Sequence, residues 1–207
     1  MIKPYTDHHG AIRIYEKVFL NYQNIIDTYN DSASNGSHWK WKNSHGAIYS
    51  EEALRTSQEI ALPSYGGDYS KLQPNKEEIR MLVLTADIQA RTMQYVDHYA
   101  KHFGLSIKSN EKTRLVKYET GNFFKSHRDD HPLTPRTFST VYYVNDNYKG
   151  GELYFKYFDF KYTPSFGDLV IFPSNYAYDH ESMPILEGTK YAITDFWIEG
   201  MDDVRKQ

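Results

Sequence analysis

The first half of the chain combines helical hydrophobic periodicity with polar, glycine-bearing stretches. Apolar side chains recur every three or four positions in residues 11–30, which predicts an amphipathic helix. The same spacing over about 77–103 predicts a second helix, which ends at the glycine of HFGL. Residues 31–50 and 64–76 are polar and predict long loops. Because long loops often cover binding sites, we expect one of them to close over a substrate, with 64–76 favoured for its paired glycines.

From about residue 112 the period of the pattern changes to two. Short runs rich in β-branched and aromatic residues alternate with turn signals such as ETGN, PSFGD and LEGT. Six such runs at near-regular spacing predict a β-sandwich, jelly roll or barrel. The sequence therefore predicts an α+β protein with a single domain over residues 1–207. Helices and loops of residues 1–110 are expected to pack against a β core formed by residues 111–200.

Composition narrows the possible classes of function. Lys plus Arg total 24 and Asp plus Glu total 27, and the resulting net charge of −3 argues against strong electrostatic capture of nucleic acid. No stretch approaches the ~18 consecutive apolar residues of a transmembrane helix, and the polar N-terminus lacks the apolar core of a secretory signal. We expect a cytoplasmic protein that has no membrane partner, while its oligomeric state stays open.

The chain has no cysteine, so a transition-metal site has to use histidine and carboxylate ligands. Among the nine histidines, His127 alone has an acid two residues later, Asp129, and the two side chains share a face if the segment is a strand. One such pair is no more than chance provides. His180, which follows another predicted strand, supplies a third ligand. Two histidines and one carboxylate form the facial triad that holds Fe(II) and leaves positions open for an oxygenase reaction.

Lys190 lies ten residues after His180, in an otherwise apolar predicted strand. One interpretation is an outward-facing or edge-strand lysine. The other is a cation inside the barrel that pairs with the carboxylate of a ligand. The residues alone leave both interpretations open.

Three separated segments resemble the catalytic domain of the prolyl 4-hydroxylases, which are Fe(II)- and 2-oxoglutarate-dependent dioxygenases. The segments are YETGNFFKSHRD, RTFSTVYYVND followed by GGELYF, and HESMPILEGTK, and they agree with the family in order and internal spacing. A weaker similarity lies in RTSQEIAL. The resemblance implies a double-stranded β-helix in which His127, Asp129 and His180 bind Fe(II). It also implies 2-oxoglutarate and O2 as co-substrates, with ascorbate as a further candidate cofactor.

The resemblance assigns roles to four other residues. Lys190 matches the family lysine that pairs with the distal carboxylate of 2-oxoglutarate. Tyr118 and Tyr143 match tyrosines that line the same pocket. Arg136 also occupies a family position, and it either faces the substrate as a catalytic residue or forms a structural ion pair.

The reaction that the resemblance implies is hydroxylation of a peptidyl proline, with decarboxylation of 2-oxoglutarate to succinate and CO2. The expected partner is therefore a peptide or protein substrate. Phe124 stands where the family usually has a second tyrosine, and Phe196 stands where a tryptophan is common, so specificity for proline stays open. One alternative is the same chemistry on another protein side chain, a small molecule or an alkylated base. Another is a catalytically silent β-helix that serves as a binding module.

Overall fold

The structure, a computed structural model, describes residues 2, 4–19, 24–34, 39–44, 54–62, 73–111, 113–130, 132–133 and 135–200. Its two α-helices are α1 (Ile25–Ser34) and α2 (Lys76–Phe103). Its strands are β1 (Tyr5–His8), β2 (Ile12–Tyr15), β3 (Lys42–Ser44), β4 (Arg55–Ala61), β5 (Ile107–Asn110), β6 (Arg114–Glu119), β7 (Phe123–His127), β8 (Phe138–Tyr143), β9 (Lys149–Gly150), β10 (Leu153–Phe155), β11 (Phe160–Tyr162), β12 (Leu169–Pro173), β13 (His180–Ser182), β14 (Ile185–Glu187) and β15 (Thr189–Glu199). The predicted lid at 64–76 lies outside the described residues except for 73–76.

Thirteen strands form one sheet, whose pairs are antiparallel. The strand order is β1-β2-β12-β8-β15-β6-β4-β7-β13-β10-β11, with β3 beside β4 and β5 beside β15, while β9 and β14 form a separate pair. Strand β4 pairs with both β6 and β7, so it connects the strands on the β6 side of the sheet with those on the β7 side. The rings of His8 on β1 and Phe160 on β11 stack with their centroids 4.7 Å apart. Because these strands are the two ends of the order, the sheet curls into a jelly-roll-like structure.

Alternation along β15 separates two apolar clusters. Ile193 and Trp197 belong to a large cluster that α2 enters through residues such as Met81 and Val96. Ala192 points to the opposite face, because successive side chains alternate across a strand, and joins a cluster inside the roll. The interior wall of β15 therefore also carries Lys190.

The helix α2 lies at the position that the apolar spacing predicts. Asn75 caps its N-terminus in a capping box with Glu78, and Gly104 ends it with a left-handed φ of 67°. After residue 112, each of the six segments predicted to be a strand contains one. No helix in the described part of the chain is long and apolar enough to cross a membrane.

The prediction of a helix over residues 11–30 is wrong for its first part. Residues Ile12–Tyr15 form β2, which lies between β1 and β12, and the helix α1 begins at Ile25. All four residues of β2 are buried because the strand is covered on both faces. The strand has only four residues, and Ile14 also fits the helical spacing to Val18, so the apolar pattern cannot distinguish it from the start of a helix.

The division at residue 110 is also wrong as a division between helices and strands. Strands β1 to β5 all lie before it, and β2 and β4 are built into the sheet that continues through β12, β6 and β7. Residues 31–34, predicted as loop, continue α1, and residues 42–44 form β3. The strands of the N-terminal half are thus part of the same sheet that carries the candidate site.

Candidate active site

The structure brings the three predicted metal ligands together. His127 is the last residue of β7 and His180 is the first residue of β13, and the two are register partners across the antiparallel pair. Asp129 follows two residues after the end of β7. One ligand atom of each residue lies within 4.8 Å of the others. The strand pairing therefore fixes the two imidazoles beside each other, and the turn after β7 returns the carboxylate to them.

Both imidazoles present Nε2 to the same carboxylate. Each Nδ1 contacts the backbone carbonyl two residues earlier, at 2.8 Å for His127 and 3.1 Å for His180. The Nε2 atoms lie 3.4 and 3.5 Å from the two carboxylate oxygens of Asp129. Burial lowers the pKa of His180 to about 4, against the opposing attraction of Asp129. His180 is therefore neutral at physiological pH, which is the form that binds a metal.

Asp129 is held as an anion inside the protein. Burial raises its pKa, but His180, His127 and the Ser139 hydroxyl outweigh that effect and hold the pKa well below its usual range. The Ser139 hydroxyl donates to the carboxylate at 2.6 Å, and the Asp129 amide donates to the carbonyl of Ser174 at 3.1 Å. Two imidazoles and one buried anionic carboxylate, all with converging ligand atoms, fit a divalent metal ion.

Lys190 lies inside the roll and lines the same cavity as the three ligands. It is 3% exposed, and its ammonium donates hydrogen bonds to the Gly151 carbonyl and the Ser182 hydroxyl, both at 2.7 Å. Within the described part of the chain no carboxylate forms an ion pair with it. Burial lowers the pKa of Lys190 to about 7, with only Glu152 opposing. A buried ammonium without an anionic partner fits a ligand that brings a carboxylate.

Two buried tyrosines flank this ammonium. The Lys190 Nζ lies 5.2 Å from the ring centroid of Tyr118 and 5.5 Å from that of Tyr143. Burial raises the pKa of both phenols, so both keep their protons and can donate hydrogen bonds. The cavity that these residues share with the triad has a volume of about 410 Å³. Such a space falls within the range of small-molecule sites in proteins.

The low pKa of Lys190 predicts a pH dependence of stability in the metal-free and ligand-free protein. Between pH 7 and the ordinary lysine pKa of 10.5, the unfolded chain keeps a proton that the folded protein has lost. The free energy of unfolding should therefore rise with pH from this residue, by up to ~1.4 kcal/mol per pH unit. We expect Lys190→Met to be the more stable protein at pH 7, with the difference shrinking by pH 9. Urea unfolding at pH 7, 8 and 9 measures this, and parallel profiles for the two proteins would contradict it.

Arg136 forms an ion pair and does not reach the Asp129 carboxylate. Its guanidinium donates two hydrogen bonds to Glu111, at 2.7 and 2.8 Å, and a third to the backbone carbonyl of Asp129 at 2.8 Å. The guanidinium also stacks on the ring of Phe196 at 3.8 Å. The structural ion pair, which is one of the two alternatives for Arg136, is present in the structure. The side chain also lines the cavity. Its catalytic role stays a prediction.

Phe124 and Phe196, the two departures from the family pattern, both line the cavity. The Phe124 ring stacks on the His127 ring with centroids 3.5 Å apart, and the Arg55 guanidinium lies 4.9 Å from its centroid. Arg55 in turn pairs with Glu59 at 2.8 Å. Trp197 points away from the cavity and donates to the Thr140 hydroxyl at 3.1 Å. The wall beside His127 is thus an apolar ring where the family usually has a phenol.

Two residues that support the site, Ser139 and Ser182, were not predicted from the sequence. Ser139 bonds Asp129 and also contacts the Ser174 hydroxyl at 2.8 Å. Ser139 lies four residues before Tyr143 on one strand and so shares its face, which is a signal that could have identified it. Ser182, which accepts a hydrogen bond from Lys190, lies two residues after His180 on β13 and carries the same signal.

Comparison with known proteins agrees with this geometry. Residues 113–199 match the family described as the 2OG-Fe(II) oxygenase superfamily. This range contains the three candidate ligands, Lys190 and both pocket tyrosines. This part of the chain is therefore an Fe(II)- and 2-oxoglutarate-dependent dioxygenase domain. Fe(II), 2-oxoglutarate and O2 are accordingly its cofactor and co-substrates. A comparison with curated proteins gives no match.

Several solved structures share the fold of this dioxygenase. A prolyl hydroxylase from Trichoplax adhaerens, in complex with a peptide fragment of the hypoxia inducible factor oxygen degradation domain, is 19% identical, with a TM-score of 0.65 over 91% of this chain and 84% of that one. A viral collagen prolyl hydroxylase from Paramecium Bursaria Chlorella virus-1 is 17% identical, with a TM-score of 0.59 over 92% and 97%. An oxidoreductase of the 2OG-Fe(II) oxygenase family from Burkholderia pseudomallei is 13% identical, with a TM-score of 0.59 over 90% and 85%. The curled antiparallel sheet is therefore the jelly-roll fold of these oxygenases.

Proposed function

We propose that this dioxygenase hydroxylates a proline residue of a peptide or protein substrate. In this proposal His127, Asp129 and His180 bind Fe(II), and Lys190 binds the distal carboxylate of 2-oxoglutarate. The observation that carries the proposal is the buried Lys190 ammonium, which has no anionic partner among the described residues and lines the same cavity as the triad. Support for proline comes from two proteins of the same fold, which are prolyl hydroxylases.

In this proposal each residue of the site has its own role. The bound Fe(II), 2-oxoglutarate and O2 supply the oxidation, in which 2-oxoglutarate loses CO2 to give succinate and a substrate C–H bond becomes C–OH. His127 and His180 stay oriented because their Nδ1 atoms are tied to carbonyls, which leaves each Nε2 free for the metal. Asp129 stays anionic and offsets part of the metal charge. The Lys190 ammonium and the hydroxyls of Tyr118 and Tyr143 orient the co-substrate.

The cavity walls fit an apolar target residue beside the metal ligands. Phe124 and Phe196 present aromatic faces, and Leu153 adds an aliphatic side chain. In this proposal a substrate residue that packs against these groups displaces water from the ligands, which favours reaction of the substrate over reaction with solvent. A proline ring, which is compact and apolar, suits such walls better than a charged side chain does. We also propose that the whole chain acts as one catalytic domain.

A peptide screen tests this function. The enzyme is incubated with Fe(II), 2-oxoglutarate, ascorbate and a library of proline-containing peptides, while succinate release and +16 Da products are measured. We expect succinate release that depends on peptide, with the added oxygen on proline. Succinate release with oxygen on another residue would reject proline as the target. Absence of succinate release under every condition would contradict an active enzyme, and His180→Ala serves as the inactive control.

A further inference from the structure

The two histidine ligands lie in tripeptides of the same design. In Lys125–Ser126–His127, the Lys125 carbonyl contacts the imidazole Nδ1, and in Tyr178–Asp179–His180 the Tyr178 carbonyl does the same. In each tripeptide the middle residue lies between the carbonyl and the ligand that it orients. Any shift of the middle residue therefore moves both the imidazole and its hydrogen-bond acceptor.

The two middle residues are bonded to each other. The Ser126 hydroxyl donates to one carboxylate oxygen of Asp179, and the Lys156 ammonium lies 3.0 Å from the other oxygen. Ser126 is next to His127 on β7, so its side chain is on the opposite face from the ligand. Lys156 directly follows Phe155 of β10, which is the register partner of His180. We call Ser126, Asp179 and Lys156 the rear clamp, because they join β7, β13 and β10 behind the ligands.

We propose that the rear clamp sets the separation and orientation of His127 and His180, and so determines the metal affinity of the site. Ser126 and Asp179 are positioning residues, since neither is a ligand. The proposal rests on the ligand roles proposed above for the two histidines. The register between β7 and β13 is irregular between His180 and Ser182, so ladder hydrogen bonds alone hold this strand pair less uniformly than a regular pair. A side-chain bond across the same pair compensates for that irregularity.

The carboxylate at the centre of the rear clamp is less exposed than the groups of an ordinary surface ion pair. The Asp179 side chain is 17% exposed, against 68–71% for the side chains of the Lys149–Glu187 pair elsewhere on the protein. A hydrogen bond to a charged, largely buried carboxylate is stronger than a bond between neutral groups. Outer residues that orient metal ligands typically change metal affinity by ~10–100-fold when they are removed.

Two variants, of which only one changes the charge, separate positioning from electrostatics. Ser126→Ala removes the hydrogen bond between the tripeptides without changing any charge. Asp179→Asn removes a negative charge but keeps an oxygen that can accept from Ser126. If the clamp acts by position, Ser126→Ala should weaken metal binding more than Asp179→Asn does. If the effect were only the attraction of Asp179 for a cation, the order would be reversed.

The experiment titrates each purified protein with Co(II) alone and follows its visible absorption, so no turnover is involved. We expect the dissociation constant for Co(II) to rise about tenfold in Ser126→Ala, with an altered absorption spectrum. Asp159→Asn is the matched control, because Asp159 belongs to neither tripeptide and its side chain accepts from Tyr154 at 3.1 Å. A thermal melt of each variant reports stability separately from affinity.

The outcomes are distinct. A Co(II) dissociation constant within twofold of wild type in Ser126→Ala would overturn the clamp, as would a larger loss in Asp179→Asn. A lower melting temperature with unchanged affinity for Co(II) would show a merely structural bond and would also overturn it. His180→Ala tests the underlying ligand assignment: if this variant binds Co(II) like wild type, the assignment fails, whereas a loss there with none in Ser126→Ala rejects only the clamp.

Discussion

Fe(II)-dependent succinate release is expected to disappear in Asp129→Ala and in His180→Ala, while both variants keep the jelly-roll fold. Each substitution leaves two ligands for an ion that the site is built to hold with three. Losing a ligand should exceed the ~10–100-fold loss of affinity that follows from removing an outer partner. Succinate is measured over increasing Fe(II), because a weakened site and an absent site differ at saturating metal. Circular dichroism and a thermal melt check the fold.

The controls for this prediction come from the same chain. His102→Ala removes an exposed histidine at the end of α2, far in sequence from all three ligands. It should keep wild-type turnover. Asp129→Ala also leaves the Ser139 hydroxyl without its carboxylate acceptor, so some loss of stability is expected in that variant. Full Fe(II)-dependent activity in either ligand variant would remove these residues from the metal site.

The strand-rich half of the fold was predictable because each of its segments carries a local signal. Period-two runs and turn residues mark β6, β7, β8, β10, β12 and β15 without knowledge of their partners. The same reasoning fails at β2, where Ile12 and Ile14 face the interior while Arg13 and Tyr15 are buried on the other face. Arg13 alternates with the two isoleucines, but four residues are too few to establish a period of two. The identity of this strand depends on β1 and β12, which lie beside it only after folding.

The candidate site was predictable as residue types but not as geometry. His127 and Asp129 share a local spacing, whereas Arg136 could not be assigned, because its partner Glu111 is 25 residues away in sequence. For a similar reason, the sequence could not show whether the Lys190 side chain faces into the roll or out of it. Its register partner on the neighbouring strand is Tyr118, and that pairing, together with the direction in which its neighbour Ala192 faces, puts the ammonium inside the roll. Alternation along a strand shows which residues share a face, but only the packed sheet shows which of the two faces lies inside the roll.

Lys190→Ala is expected to weaken 2-oxoglutarate binding by roughly 10²–10³-fold, since removing one partner of a buried ion pair costs ~3–5 kcal/mol and each ~1.4 kcal/mol is tenfold in affinity. The lower end is favoured because water can enter the space that the side chain leaves. Fe(II) binding should survive, because no ligand is touched. Lys190→Arg should recover part of the loss, since the charge returns on a bulkier planar group. Titration of 2-oxoglutarate into the anaerobic Fe(II) complex, followed by its metal-to-ligand charge-transfer band, measures the affinity.

The pH dependence of this binding separates an internal cation from an ordinary strand lysine. With its pKa lowered to about 7 by burial, Lys190 loses its proton in the free protein above that pH and must regain it to pair with a carboxylate. Affinity for 2-oxoglutarate in the wild type should therefore fall above pH 7, by up to ~10-fold per pH unit. Lys190→Ala should lack this decline, and Lys190→Arg should lack it too, because arginine stays charged. An outward-facing lysine would give unchanged affinity in both variants and a flat profile in the wild type. That result would exclude Lys190 as the carboxylate partner while leaving the metal site intact.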